Sequence, residues 1–130
     1  MPRFSLGGKP ATDTGSAALE FLAFGVPSLL TTLVVLQILA AGYLNNLVLD
    51  AAMEGALVAG AADGSSSQAE VRVREVLKIS APNLKTTVDV SDTQLAGLSA
   101  VAVTISCTSN LLFFGAIPIV QTAEAISENQ

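Results

Sequence analysis

Apolar and polar residues are distributed unevenly along the chain, and the longest apolar run comes first. A short polar stretch ends at Gly15, and no residue from Phe21 to Leu49 carries a formal charge. A membrane-spanning helix needs about 20 apolar residues. The run therefore predicts one transmembrane helix, with its span at about 21–44. Helix-forming residues continue beyond the span, and we expect one long helix over 16–64.

A second, short helix is predicted after the serines that follow Gly64. Ser67 and Glu70 have the spacing of a capping box, in which the serine caps the helix and the glutamate reaches back. Apolar residues then recur at helical spacing over about 68–79. Pro82 ends this helix, because proline cannot continue the hydrogen-bond pattern.

Beyond Pro82 the apolar residues alternate with polar ones, which predicts β-strands. Two strands are expected at about 84–91 and 100–107, with 91–97 as the connecting loop, and a third at about 119–126. An isolated hairpin is marginally stable, so this sheet must pack on a helix. The sequence predicts an α+β fold: a long N-terminal helix, a short second helix and a small antiparallel sheet of about three strands, with residues 65–130 forming a head.

The pattern leaves open the role of two features of the head. The apolar segment Leu111–Ile119 is too short to span a membrane, and we expect it to be core or a subunit contact, with a membrane-surface loop as the open alternative. Cys107 falls on the inward face of its strand. We expect a buried, inert thiol, with an intermolecular disulfide as the less favoured alternative.

Composition narrows the possible functions. The chain of 130 residues is 51% hydrophobic and 13% charged, with no His and one Cys, which excludes a zinc or haem site and His-based catalysis. The net charge of −5 provides no basic face, so we expect no nucleic-acid partner. The serines at 65–67 have no base beside them in the sequence and the carboxylates lack metal-ligand spacing, so we expect no enzymatic activity and no cofactor. Arg3 and Lys9 precede the span and Asp50 follows it, which predicts a cytoplasmic N-terminus and an external C-terminus.

The segment at the start of the apolar run carries a recognisable motif. Asp13-Thr14-Gly15-Ser16-Ala17-Ala18-Leu19-Glu20-Phe21 resembles the prepilin cleavage site of type IV pilin-like proteins. With Pro27 and the block Asp50–Ala56, it resembles the TadE-like pseudopilins, minor components of the Tad tight-adherence pilus in the bacterial cytoplasmic membrane. Glycine would permit an extended, accessible backbone at the cleaved bond.

The resemblance implies a processing site and a set of partners. A prepilin peptidase would cut between Gly15 and Ser16 and leave residues 1–15 as a cytoplasmic leader. Glu20 would become the fifth mature residue, followed by Phe21, and would pair with the new amine of Ser16 on a neighbouring subunit. The implied partners are other pilins and pseudopilins through the N-terminal helix, membrane lipid and the pilus assembly platform.

Small residues recur every four positions just beyond the span. They are Ala51, Gly55 and Ala59, and beside them Ala52, Ala56 and Gly60. Such stripes let helices approach closely, which favours bundling with neighbouring subunits, although alanine is also simply the best helix former.

A second hypothesis needs no processing. In it the chain keeps its leader and acts as a single-pass anchor or subunit of a membrane complex. Glu20 is then a carboxylate in the headgroup zone near a helix N-terminus.

Overall fold

The long helix, the short helix and the three-stranded sheet predicted from the sequence are all present. A computed structural model describes Met1 and residues 13–128, without the side chains of Asp13 and Thr14. The elements in chain order are α1 (Asp13–Gly60), α2 (Ser66–Ser80), β1 (Thr86–Leu95), β2 (Leu98–Leu111) and β3 (Gly115–Ile126). The α+β fold class is therefore confirmed. Most of the predicted leader, with Arg3 and Lys9, lies outside the described residues.

Helix α1 begins earlier and ends earlier than predicted. It runs for 48 residues from Asp13 to Gly60. Strong helix formers follow its first turn, with Ala17, Ala18, Leu19 and Glu20 in succession. Beyond Gly60 the chain turns back, and the Gly64 N–H donates to the Ala61 carbonyl oxygen over 2.8 Å. A Cβ at Gly64 would collide with the carbonyl oxygen of Val58, so this tight turn requires glycine.

The contacts divide the chain into two units, Met1–Leu36 and Gln37–Gln130. The first consists, among the described residues, of the N-terminal part of α1. The second holds the rest of α1, α2 and the sheet. It is larger than the head predicted at residues 65–130, and from here on the name head refers to this whole unit, Gln37–Gln130.

The N-terminus of α2 differs from the capping box predicted at Ser67. Ser65 is the N-cap, and its Oγ accepts a hydrogen bond from the Gln68 N–H at 3.3 Å. Ser67 lies inside the first turn, so the cap is two residues earlier. Glu70 does not reach back to a cap; it accepts a 2.6 Å ion-pair hydrogen bond from Arg74, one turn later.

The sheet is an antiparallel meander in the order β1-β2-β3. The loop predicted at 91–97 is mostly strand, because Ser91–Leu95 pair with Leu98–Ala102. The connection is reduced to Ala96 and Gly97, both with positive φ. Two successive positive φ values are typical of the tight turns that match the twist of a hairpin.

The core lies between the head part of α1, α2 and one face of the sheet. It joins Val48 and Ala52 of α1, Val73 of α2, and Val103 and Ile105 of β2, all of them fully buried. The predicted inward face of β2 is confirmed, because its alternate residues from 101 to 107 are buried.

Candidate functional site

The motif of the predicted processing site lies on the first turns of α1. Gly15, Ser16, Glu20 and Phe21 are all helical and exposed to solvent. The extended backbone expected at Gly15 is therefore not observed, because α1 starts before it. Apart from its chain neighbours and the backbone of its own helix turn, no described atom lies within 4 Å of the position that a Cβ would take at Gly15. The bond between Gly15 and Ser16 lies in an exposed helical turn.

The apolar surface of α1 is open along the predicted span. α1 is the one helix within the described part of the chain that is long and apolar enough to cross a membrane, and 6% of its most apolar window is buried. Large side chains are exposed along this part, among them Leu22, Phe24, Leu29, Leu36 and Leu39. A core helix of a soluble protein buries one face, so this exposure favours an apolar environment outside the chain.

Pro27 lies inside α1, as predicted, and hydroxyl groups follow it on the next turn. Thr31 Oγ1 donates to the Pro27 carbonyl oxygen at 2.8 Å, and Thr32 Oγ1 donates to the Ser28 carbonyl oxygen at 2.9 Å. These bonds satisfy the hydroxyls within the helix itself. Polar side chains can therefore lie in an apolar stretch at little cost.

The stripe of small residues packs inside the head. All six of its residues are buried, namely Ala51, Ala52, Gly55, Ala56, Ala59 and Gly60. A Cβ at Gly55 would lie 2.5 Å from Val73 Cγ2 on α2. The structure therefore assigns this close packing to α2 and the sheet of the same chain, and the stripe is not a surface that a neighbouring subunit can reach in this fold.

Two amide side chains of α1 contact the sheet, and the sequence reasoning missed both. The Gln121 Nε2 of β3 donates to Asn45 Oδ1 at 2.6 Å. The Phe113 N–H donates to Gln37 Oε1 at 3.2 Å, while the buried Gln37 Nε2 has no partner among the described residues. A polar amide within an apolar helix was the available signal, because such groups are costly in lipid unless another segment bonds to them.

The apolar segment Leu111–Ile119 is a hairpin rather than core. It forms the end of β2, a turn and the start of β3, and the turn residues Leu112, Phe113 and Phe114 are 88%, 51% and 50% exposed. Ile119 alone in the segment is buried. The expectation of core is wrong for the segment apart from Ile119, because its turn extends beyond the last β2 residue that pairs with β1. A subunit contact stays a prediction.

The charged groups of the head form an exposed network between α1 and α2. Arg72 Nε donates to Glu54 at 2.9 Å and Arg72 Nη1 donates to Glu75 at 3.1 Å. The hydrogen bond to Glu75, followed by the charge of Glu54, raises the pKa of Arg72 above its ordinary value. Exposed pairs of this kind contribute little to stability.

The structure was compared with the expectation that the chain holds no metal. Within residues 13–128, no group of three or more His, Cys, Asp or Glu side chains is placed to hold a metal ion. Cys107 is buried, as predicted, and burial raises the pKa of its thiol. Comparison of the chain with protein-family models, with curated proteins and with solved structures gives no match.

Proposed function

We propose that the chain is a minor pilin of the TadE-like type, anchored in the bacterial cytoplasmic membrane by α1. In this proposal a prepilin peptidase removes residues 1–15, and the mature protein joins, or primes, a Tad-type pilus that serves adhesion. The observation that carries the proposal is the placement of Gly15, Ser16, Glu20 and Phe21 at the start of an exposed apolar helix.

The two parts of α1 differ in burial, and this difference supports the proposal. One face of α1 beyond Leu47 is buried against α2 and the sheet, so the contacts of this face are made within the chain. The part before Gln37 exposes its apolar side chains in all directions. Lipid can cover this surface before assembly, and neighbouring pilin helices can cover it afterwards.

Glu20 has the chemistry for an assembly contact. It is exposed, and it follows Ser16 by one helical turn. A carboxylate moved into an apolar bundle is costly unless a cation pairs with it. Cleavage after Gly15 would create such a cation, the α-amino group of Ser16. The proposed pair joins Glu20 of one subunit to this amine on the next.

A second function, an uncleaved single-pass anchor of a membrane complex, is favoured by one observation. Residues on both sides of the proposed cut are helical, so a peptidase must first open the end of α1. The uncleaved anchor requires no such opening of the helix, although helix ends open at little free-energy cost.

The assembly role is tested by replacing Glu20 in the full-length chain, in cells that make the pilus. We expect Glu20→Gln and Glu20→Ala to remain in the membrane fraction and to be lost from sheared pili, because both lack the charge that pairs with the amine. Glu124→Ala, which removes an exposed carboxylate from the sheet, is the matched control and should be incorporated normally. Normal incorporation of both Glu20 variants would contradict the proposal.

A further inference from the structure

The turn between β2 and β3 presents three large apolar side chains to the outside of the head. Leu112, Phe113 and Phe114 are consecutive, and each is at least half exposed. We call these three residues the hairpin tip. Exposed apolar residues scattered singly need no explanation, but three in succession on a projecting turn indicate a contact surface.

The tip extends beyond the part of the sheet that includes β1. The first paired residue of β1, Thr86, lies opposite Cys107, whereas the β2–β3 ladder continues from Thr108–Pro118 to Leu111–Gly115. Among the described residues, two strands are present at this end of the sheet, and no third strand pairs beside the tip.

The tip lies beside the predicted membrane span of α1. Its backbone N–H at Phe113 bonds to Gln37 Oε1, and the Gln121–Asn45 bond holds the same hairpin to α1 further along. Gln37 and Asn45 are eight residues apart on the helix, which corresponds to about 12 Å. The hairpin therefore runs alongside the part of α1 between Asn45 and Gln37.

The depth of this contact follows from the charges on α1. A span of about 20 residues must fit between Glu20 and Asp50 if both carboxylates are to stay outside the hydrocarbon. Every stretch of that length between them includes Gln37. If α1 spans the membrane, Gln37 lies in the hydrocarbon, and the Phe113 backbone that bonds to it lies there too.

The hairpin has the chemistry that this depth requires. No residue between Asp92 and Glu124 carries a formal charge. The β2–β3 ladder pairs the backbone on both sides of the tip, and Gln37 accepts the N–H of Phe113. Backbone groups in lipid must find partners within the protein, and these contacts provide partners for the facing edges of the two strands and for the Phe113 N–H.

Basic side chains lie where headgroups would meet the base of the hairpin. The connection from α2 to β1, which includes Pro82 and Leu84, adjoins Thr108–Asn110 at that base. Lys78 and Lys85 flank this connection, and both are exposed. Lysines on flexible stems beside an apolar insertion suit anionic lipid headgroups.

We propose that the hairpin tip inserts into the leaflet on the head side of the membrane, beside α1, as a second membrane contact of the chain. This inference rests on the membrane span of the proposed function, but not on processing or pilus assembly. Insertion would hold the head against the bilayer and restrict its tilt. A pilin subunit would have to withdraw the tip from lipid to leave the membrane.

The insertion is tested by fluorescence of the full-length chain in phosphatidylcholine–phosphatidylglycerol vesicles. In a Cys107→Ala background, the environment-sensitive dye NBD is attached to single cysteines at three exposed positions. Leu112→Cys reports the tip, Leu39→Cys the span of α1, and Gln94→Cys the opposite end of the sheet. We expect blue-shifted emission and quenching by doxyl-labelled lipids for the first two labels, and neither effect for the label at position 94.

The three labels separate the possible failures. Quenching at position 39 without quenching at position 112 would overturn the insertion and leave the membrane span intact. Absence of quenching at both positions would overturn the span, and with it the proposed function. A blue shift at position 112 that appears only at high protein-to-lipid ratio, without lipid quenching, would assign the tip to a second copy of the chain and overturn the insertion. Quenching that is independent of that ratio is the expected result.

Discussion

A methyl group added at Gly55 is expected to destabilise the head by about 1–2 kcal/mol. The new Cβ would lie 2.5 Å from Val73 Cγ2 and 3.4 Å from Val103 Cγ1. Val73 and Val103 are fully buried on different elements, so neither can turn its side chain into solvent. Overpacking of this kind costs about 1–3 kcal/mol, and the close approach favours the upper part of that range. The higher helix propensity of alanine returns about 1 kcal/mol.

The matched control is Gly42→Ala on the same helix. No atom lies within 4 Å of the Cβ position at Gly42, so this change adds helix propensity without overpacking. Val73→Ala supplies the second control, because the space that it vacates can take the methyl group added at position 55. We expect the double variant to lose less stability than the sum of the two single losses.

Thermal unfolding of the full-length chain in non-ionic detergent, followed by far-ultraviolet circular dichroism, measures these differences. Gly55→Ala should melt below the unsubstituted chain, and Gly42→Ala at or above it. Equal stability of the two glycine variants, or additive losses in the double variant, would refute the packing of α1 against Val73. The small residues would then be free for contacts between subunits.

Two further predictions concern the head. Ser65→Ala should cost about 1 kcal/mol of stability through loss of the N-cap, and Ser67→Ala much less, as measured by the same unfolding assay; the reverse order would place the cap at Ser67 after all. Cys107 should react with a maleimide only after unfolding, because burial raises the pKa of its thiol, and rapid labelling of the folded chain at neutral pH would contradict this. The folded state favours the neutral thiol, so this contribution to stability is present below the ordinary thiol pKa and is lost as the pH rises through the raised value.

The elements with strong periodicity were predictable from the sequence. The uncharged run predicts helix α1, and the alternation of apolar and polar residues predicts strand β2. Each of these patterns is typical of one type of secondary structure. The polar residues after Ser91 were predicted as a loop, yet they pair with β2. An edge strand can turn polar side chains to water, so local polarity does not distinguish it from a loop.

The contacts between distant segments could not be predicted in this way. The small stripe around Gly55 fits a neighbouring helix as well as α2, and only the course of the chain after Gly64 decides between them. The apolar segment around Phe113 fits a core as well as a projecting hairpin. Its position depends on where β1 starts relative to β2, which is a property of strand register. Gln37 acquires its role only through this register.

The motif at Gly15 supports the proposed function most directly, and its processing can be measured. The intact mass of the chain should be determined from cells with and without a prepilin peptidase, together with Gly15→Ala and the control Gly42→Ala. Both glycines lie in α1 with open space at the Cβ position, so neither substitution should disturb the fold. We predict a chain that begins at Ser16 only when the peptidase is present, with cleavage lost in Gly15→Ala and kept in Gly42→Ala. A chain that retains the residues before Ser16 in both kinds of cell would contradict the pilin proposal and identify α1 as the anchor of an unprocessed membrane protein.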